Sequence, residues 1–382
     1  MAPPAALVRT ARLLWHQQWL LLMGGLGPAD RQGHYRRPTA AFTDLPPLPA
    51  DAGEDDAHVL IVGRSCPWAH RAWLCWQLRQ LAPAIRLEIV EPDPQAGRWC
   101  FPRPFAGCRT LAELYRRSGA PPGSRATVPA LWSQRQQRIL LGESARLIEW
   151  LDQWPSPRAP LWPAEQRGTI DLWRERLQHT VNDGVYRCGF ARNQAAYDAA
   201  EGALFASLSS VEEQLLRLEQ AAAGQTAAGQ ADAVGIATAA GHATAPESTA
   251  AAGADERTAT RSTTPAGSVP PAGNAAPDPT TSGPWLCGSS GPTLADVVLF
   301  PTLIRWEMVY APLFGCSREP LWHYPALWRW RARLLALPGV AATCDAEAWR
   351  RDYFGALFPL HPSGIVPAGP ALSTLVNSRP GP

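Results

Sequence analysis

The chain spells HVLIVGRSCPWAHRAWLCWQLRQLAPAIRLEIV over residues 58–90, and this stretch decides the fold. His58–Val62 is a short unbroken apolar run, the pattern of a strand buried on both faces. Gly63 to Ser65 turn the chain. Pro67 suits the first position of a helix, where its missing N–H has no intrahelical partner in any case. That helix is predicted to run to about Leu81, and Ile85–Val90 reads as a second strand. The three elements make a β-α-β unit.

Downstream, an excursion rich in Pro, Arg and Cys runs from about Pro92 to Arg125. Two short strands follow, Ala130–Trp132 and Arg138–Leu141, separated by the polar turn SQRQQ. Glu143 and Ser144 then open a helix from Ala145 to about Gln153. The order β-α-β then β-β-α is the thioredoxin arrangement, so residues 56–155 are expected to form an α/β thioredoxin-like domain. Residues 165–355 are expected to form an all-α domain. Leu204, Leu208, Val211, Leu215 and Leu218 lie on one helical face. Thr293-Leu-Ala-Asp296 reads as a capping box opening a buried helix. Another helix, about His323 to Leu337, is stopped by Pro338-Gly339. Ala221–Gly283, rich in Ala, Thr, Gly, Pro and Ser and free of aromatics, is expected to be a disordered insertion. Residues 1–55 read as a leader whose apolar Leu13–Leu26 docks on the body as a helix, and residues 356–382 as a tail.

Composition narrows the function. A net charge of +2 over 382 residues offers no clustered basic face, so no nucleic-acid partner is expected. All 35 basic residues are arginine, read as a compositional habit. The eight cysteines include no C-x-x-C, and Cys66 with His70 is a lone Cys–His pair, so no metal site is expected. Leu13–Leu26 is too short and broken to span a bilayer and lacks a clean cleavage site. A reducing, cytoplasmic setting without a membrane partner is the expectation.

The chemistry centres on Cys66, placed where a buried strand gives way to a helix. First-turn N–H groups and the helix dipole favour a thiolate there, and such cysteines have pKa values of about 3.5–7.5. The expectation is therefore a thiol largely ionised at neutral pH. Position 69 is Ala, where a dithiol redox protein carries its second cysteine. An external thiol must resolve whatever forms on Cys66, and glutathione is the obvious co-substrate. Three features converge on that reading. Val128-Pro129 stands just before the third strand, where a cis proline is expected beside the active cysteine. Glu143-Ser144 offers a hydroxyl and free N–H groups to a carboxylate. Arg98-Trp99 offers a cation and a flat apolar wall.

Together, CPWAHR (66–71), the Trp99 region, RATVPALW (125–132), GES (142–144), NDGVYRCGFA (182–191), TLADVVLFPTLIRWEMVY (293–310), YPALW (324–328), LPGVAAT (337–343) and HPSGIVPAGP (361–370) resemble the glutathione transferase superfamily. Within it they resemble the Xi class, the glutathionyl-hydroquinone reductases. The resemblance covers roughly residues 28–220 and 284–370 and implies a helical glutathione-transferase C-terminal domain. It implies that Cys66 attacks the sulfur of a glutathionyl-hydroquinone, leaving a mixed disulfide that a second glutathione resolves. It further implies that Trp99, Arg125, Ala126, Thr127, Val128, Glu143 and Ser144 hold glutathione. Tyr186 would exchange a proton with the aromatic oxygen, while Tyr310 and Tyr353 would help lower the pKa of Cys66. A homodimer acting on aromatic, hydroquinone-type small molecules follows from the same likeness, with no bound cofactor. Many members read FDPVY where this chain has Trp306-Glu307-Met308-Val309-Tyr310, which bears on the aromatic pocket. Two other readings stand beside it: an omega-like thioltransferase or dehydroascorbate reductase, and a non-catalytic transferase-like binding module.

Overall fold

The computed structural model describes residues 3–48, 58–93, 97–239, 283–357 and 359–375. A leader helix, α1 (Ala5–Leu26), comes first. The first domain then runs β1 (His58–Gly63), α2 (Pro67–Leu78), β2 (Ile85–Asp93), β3 (Arg98–Phe105), β4 (Cys108–Thr110), α3 (Leu111–Arg117), β5 (Ala130–Ser133), β6 (Arg138–Leu141) and α4 (Ser144–Asp152). Its six strands form one sheet in the order β4-β3-β2-β1-β5-β6. β1 is central, parallel to β2 and antiparallel to β5, and all six of its residues are buried. That double burial is the physical content of the unbroken run HVLIV.

The helical domain comprises α5 (Arg167–Leu177), α6 (Gly184–Gly189), α7 (Gln194–Ala239), α8 (Leu294–Leu303), α9 (Ala311–Phe314), α10 (Pro325–Leu335) and α11 (Ala346–Ala356). Wider, π-helical turns at Gln178–Asn182 and Trp306–Tyr310 lead into α6 and α9. α8 is buried at every position. Leu294–Phe314 is apolar and long enough to cross a membrane by composition, but most of it packs inside the protein. Asp296 anchors the α8 start: its fully buried carboxylate accepts from the Thr293 N–H (2.8 Å), the Thr293 hydroxyl (2.9 Å), the Leu286 N–H (3.0 Å) and Trp330 Nε1 (2.7 Å). α2 packs against α4 on one side and α8 on the other, so the helix that begins at Cys66 is the seam between domains.

Three expectations need correction. The Pro92–Arg125 excursion, to which the sequence pattern assigns no elements, supplies β3, β4 and α3, with Thr110 and Glu113 forming a capping box. Pro102 and Pro104 hid the strand, since proline cannot donate to a ladder, and the β3–β4 pairing shifts register between Cys100 and Phe105, the interval that holds them. Ala221 does not begin a break. α7 continues to Ala239, consistent with alanine's high helix propensity, and the rest of the expected insertion, residues 240–282, lies outside the described residues. Finally, α1 docks by its C-terminal end only. Met23 is buried, while Leu7, Leu14 and Leu21 are 60–78% exposed.

Past α1 the leader folds onto the first domain. Ala29 bridges Tyr35, and Gly142 N donates to Phe42 O at 2.8 Å. This lays Tyr35 to Phe42 across the mouth of the site.

Candidate active site

Cys66 caps the N-terminus of α2, half-buried, with His70 N donating to its carbonyl at 2.9 Å. Immediately before the turn, Gly63 lies under Trp99: a Cβ there would meet the indole at 2.5 Å, so only glycine lets the ring cover the strand end. The Cys66 thiol donates to Val128 O at 3.4 Å, and the Val128–Pro129 bond is cis. Burial pushes the thiol's pKa up, against the pull of the Ala69 and Trp68 N–H groups and of Arg305 and Arg37. The expectation of a largely ionised resting thiol is thus corrected: the dipole at the helix start acts in the expected direction but burial outweighs it.

A cavity of about 280 Å³ holds the sulfur, walled by Tyr35, Trp99, Arg125, Tyr186, Asp352 and Tyr353 among others. The phenols are linked to one another. Tyr186 and Tyr353 hydroxyls lie 2.6 Å apart and those of Tyr310 and Tyr353 3.3 Å apart. Tyr310 stands behind Tyr353, fully buried. Burial raises all three phenol pKa values, so they are neutral donors near pH 7. Tyr310 and Tyr353 are the residues the resemblance assigns to lowering the pKa of Cys66. Among the described residues the hydroxyls pair with each other, and the sulfur turns to Val128 instead.

A second cavity of about 160 Å³ shares Tyr35 and Arg125 as walls with the first and is lined by Arg37, Trp68, Thr127, Val128, Glu143 and Ser144. Glu143 caps α4, accepting from Ala145 N at 3.3 Å. Ser144 follows it, buried, and its Oγ has no hydrogen-bond partner. Such an orphan hydroxyl at a helix start is a seat for an anionic ligand. Of the residues predicted to hold glutathione, Ala126 alone lines neither cavity; of the predicted catalytic residues, Tyr310 alone lines neither. Larger clefts of about 610 and 730 Å³ contain neither Cys66 nor the three phenols.

Three further residues belong here. The Arg37 guanidinium lies 3.8 Å over Trp68 and pairs with Glu143 (3.6 Å) and Asp183 (3.8 Å). Trp68 stacks on Tyr186 at 5.9 Å. Tyr35 reaches Phe190 edge-on at 5.3 Å and lies 6.3 Å from Tyr186. Trp68 was legible within CPWAHR. Tyr35 and Arg37 sit in the leader, where GHYRR carries the only tyrosine of residues 1–57, a signal without meaning until the chain folds back.

Known proteins resemble this chain in sequence and fold. Family models match the glutathione S-transferase N-terminal domain over residues 65–154 and its C-terminal domain over residues 194–333. The glutathionyl-hydroquinone reductase PcpF of Sphingobium chlorophenolicum is 28% identical over 330 residues, covering 84% of each chain. The glutathionyl-hydroquinone reductase YqjG of Escherichia coli is 26% identical over 378 residues, covering 94% of this chain and 93% of that protein. A glutathione-bound YqjG structure aligns with a TM-score of 0.61 over 84% of this chain and 86% of that one. The Xi-class transferase of Phanerochaete chrysosporium, 24% identical, shares the fold with a TM-score of 0.67 over 90% of this chain and 94% of that one.

Proposed function

This chain belongs to the glutathione S-transferase superfamily, and on that premise we propose that it is a glutathione-dependent reductase that removes glutathione from glutathionyl-hydroquinones. The observation that carries the reading is the shared wall. One cavity presents a thiol to the linked phenols Tyr186 and Tyr353, with Tyr310 buried behind them, and the adjoining one presents Ser144 and the start of α4.

In this reading the glutathionyl part of the substrate lies in the second cavity. Its γ-glutamyl carboxylate takes the Ser144 hydroxyl and the first N–H groups of α4, a helix start that favours anions. Glu143 accepts from the substrate's ammonium, Val128 offers backbone polar groups to its peptide, and Trp99 and Arg125 close the side toward Cys66. The ring enters the aromatic cavity between Tyr35, Tyr186 and Tyr353.

The Cys66 thiolate attacks the glutathionyl sulfur. A new S–S bond forms, the sulfur–carbon bond breaks, and its electron pair leaves with the ring. The ring gains one proton and departs as the hydroquinone. Tyr186, whose hydroxyl is polarised by Tyr353, donates to the aromatic oxygen while that charge develops. A second glutathione, as thiolate, attacks the mixed disulfide, releasing glutathione disulfide and regenerating Cys66.

Incubating the protein with glutathionyl-menadiol and excess glutathione, and following free menadiol and glutathione disulfide, tests this directly. Turnover that disappears in Cys66→Ala is the expected result. Cys66-dependent reduction of dehydroascorbate or of small glutathione disulfides, without menadiol release, would replace it with a general thioltransferase. Silence on every substrate would leave a binding module.

A further inference from the structure

Arg71, Arg305 and Arg331 are three arginines enclosed almost completely. Arg331 has a carboxylate, Glu307, at 2.8 Å. Arg71 feels Glu143 and Asp183 and lies 4.6 Å over Trp68. Arg305 differs from both. Among the described residues its partners are all neutral: Pro301 O (2.8 Å), His70 Nδ1 (2.8 Å), Arg64 O (3.2 Å) and the face of Trp349 (4.1 Å), while its Nε has no partner.

The neighbours are fixed so that they cannot supply a negative charge. A guanidinium only donates, so His70 Nδ1 is the acceptor and the ring's proton sits on Nε2. That proton goes to Thr343 Oγ1 at 2.8 Å, and the Thr343 hydroxyl donates in turn to Val340 O at 2.7 Å. Burial and the Arg305 charge hold the His70 pKa well below the usual imidazole range. The cluster carries one positive charge and no acid. A buried charge of this kind is expensive unless an opposite charge answers it.

Two observations say what answers it. Arg305 and the Trp349 indole (3.0 Å) both donate to the carbonyl of Arg64, two residues before Cys66, so the helical domain grips the turn that presents the sulfur. Cys66, Tyr310 and Tyr353 also lie within the electrostatic reach of Arg305. Cys66 carries negative charge if it is the nucleophile, Tyr353 walls the cavity that holds its sulfur, and Tyr310 backs Tyr353. The other charged or titratable groups facing this sulfur among the described residues are Arg37, Tyr115, Tyr186 and, from the cavity wall, Tyr35, Arg125 and Asp352. Cys344 also lies within the electrostatic reach of Arg305.

We propose that Arg305 is a positioning residue for this site, holding the Cys66 turn through the Arg64 carbonyl and serving as the resident counter-charge for the thiolate. This rests on Cys66 being the nucleophile. It also gives a reason for the arginine inside TLIRWEMVY that helix packing alone does not.

The test compares Arg305→Gln, which keeps donors but loses the charge, with Arg305→Lys, which keeps the charge. Iodoacetamide alkylation of the Cys66 peptide, followed by mass spectrometry across pH, reads the thiol's pKa without any substrate. Arg305→Gln is expected to raise it by about one pH unit or more, tenfold less thiolate at a given pH, and Arg305→Lys to stay within about half a unit. Equal shifts in both variants, or none in Arg305→Gln, would overturn the proposal. Should Arg305→Gln not fold, the wild-type protein decides. In 1 M salt, where screening acts over about 3 Å, an enclosed counter-charge leaves the pKa in place. A rise of about a unit would assign the effect to the more exposed Arg37 and Arg125 and sink the idea. Full turnover by Cys66→Ala would instead end the nucleophile reading, and the alkylation profile would be unaffected by that result.

Discussion

Replacing Ser144 with alanine should affect the ligand-free and the glutathione-bound protein in opposite ways. The Ser144 side chain is buried at the first turn of α4 with no partner for its Oγ. A buried polar group left unsatisfied costs about 1–3 kcal/mol, so deleting it from the empty protein is expected to be neutral or to stabilise by up to about 1 kcal/mol. In the complex the same hydroxyl donates to a carboxylate, a charged hydrogen bond contributing about 1.5–3 kcal/mol. At about 1.4 kcal/mol per factor of ten, its loss weakens glutathione binding roughly ten- to hundredfold. Both measurements belong in a Cys66→Ser background, which prevents mixed disulfides: calorimetric titration with reduced glutathione, and urea unfolding without it. An unchanged Kd would refute the placement of the carboxylate on α4. Destabilisation of the empty protein by more than about 1 kcal/mol would show that Ser144 is structural and that its orphan status means nothing.

Three further outcomes follow from the same geometry. Alkylation of Cys66 in the ligand-free protein should keep accelerating through neutral pH and level off only above the ordinary thiol pKa of 9.0, because burial raises it; a plateau already reached by pH 7 contradicts this. Asp296→Ala leaves four neutral donors without their shared acceptor inside the core, and urea unfolding should show a loss of roughly 3–5 kcal/mol, since each unsatisfied group costs about 1–3 kcal/mol. A loss below about 1 kcal/mol would mean that the α8 start is held by apolar packing alone. Tyr186→Phe should lower kcat on glutathionyl-menadiol about a hundredfold, the low end for a positioned proton donor, and act much less on a small glutathione disulfide. A similar fall on both substrates would move Tyr186 from the ring's oxygen to the sulfur step.

The sheet's centre was legible because HVLIV and IRLEIV bury apolar side chains along contiguous chain, and the thiol's place followed from the strand-to-helix turn between them. The capping box at Thr293 was equally readable, being a local contest for hydrogen bonds. What could not be read depends on long-range contact. β3 carries two prolines, which locally argue against a strand, yet pairing from both neighbours forms it. Tyr35 and Arg37 gain their place only when residues 28–42 fold back over Trp68 and Gly142. The phenol network joins positions 186, 310 and 353, a span that no periodicity encodes. Sequence motifs singled out the three tyrosines, but not the fact that their hydroxyls bond one another.

The thiol itself shows why local and global physics diverge. A helix start contributes about 0.3–1 kcal/mol toward an anion, and up to about 2 in partly buried sites. Removing an ionised group from water shifts its pKa by as much as 3–5 units, or roughly 4–7 kcal/mol. The second effect dominates in the ligand-free protein, where the thiol donates to Val128 O and its pKa is raised. A protonated sulfur is a poor nucleophile toward oxidants as well as toward substrate. The site therefore rests in an unreactive state while carrying the means to ionise: two first-turn N–H groups, Arg37 across Trp68, and Arg305 enclosed behind the turn. These charges are fixed before the substrate arrives, so their stabilisation of the thiolate requires no reorganisation when the sulfur attacks. On this reading a high resting pKa and a competent nucleophile are compatible, because burial that opposes ionisation also strengthens every fixed charge that favours it.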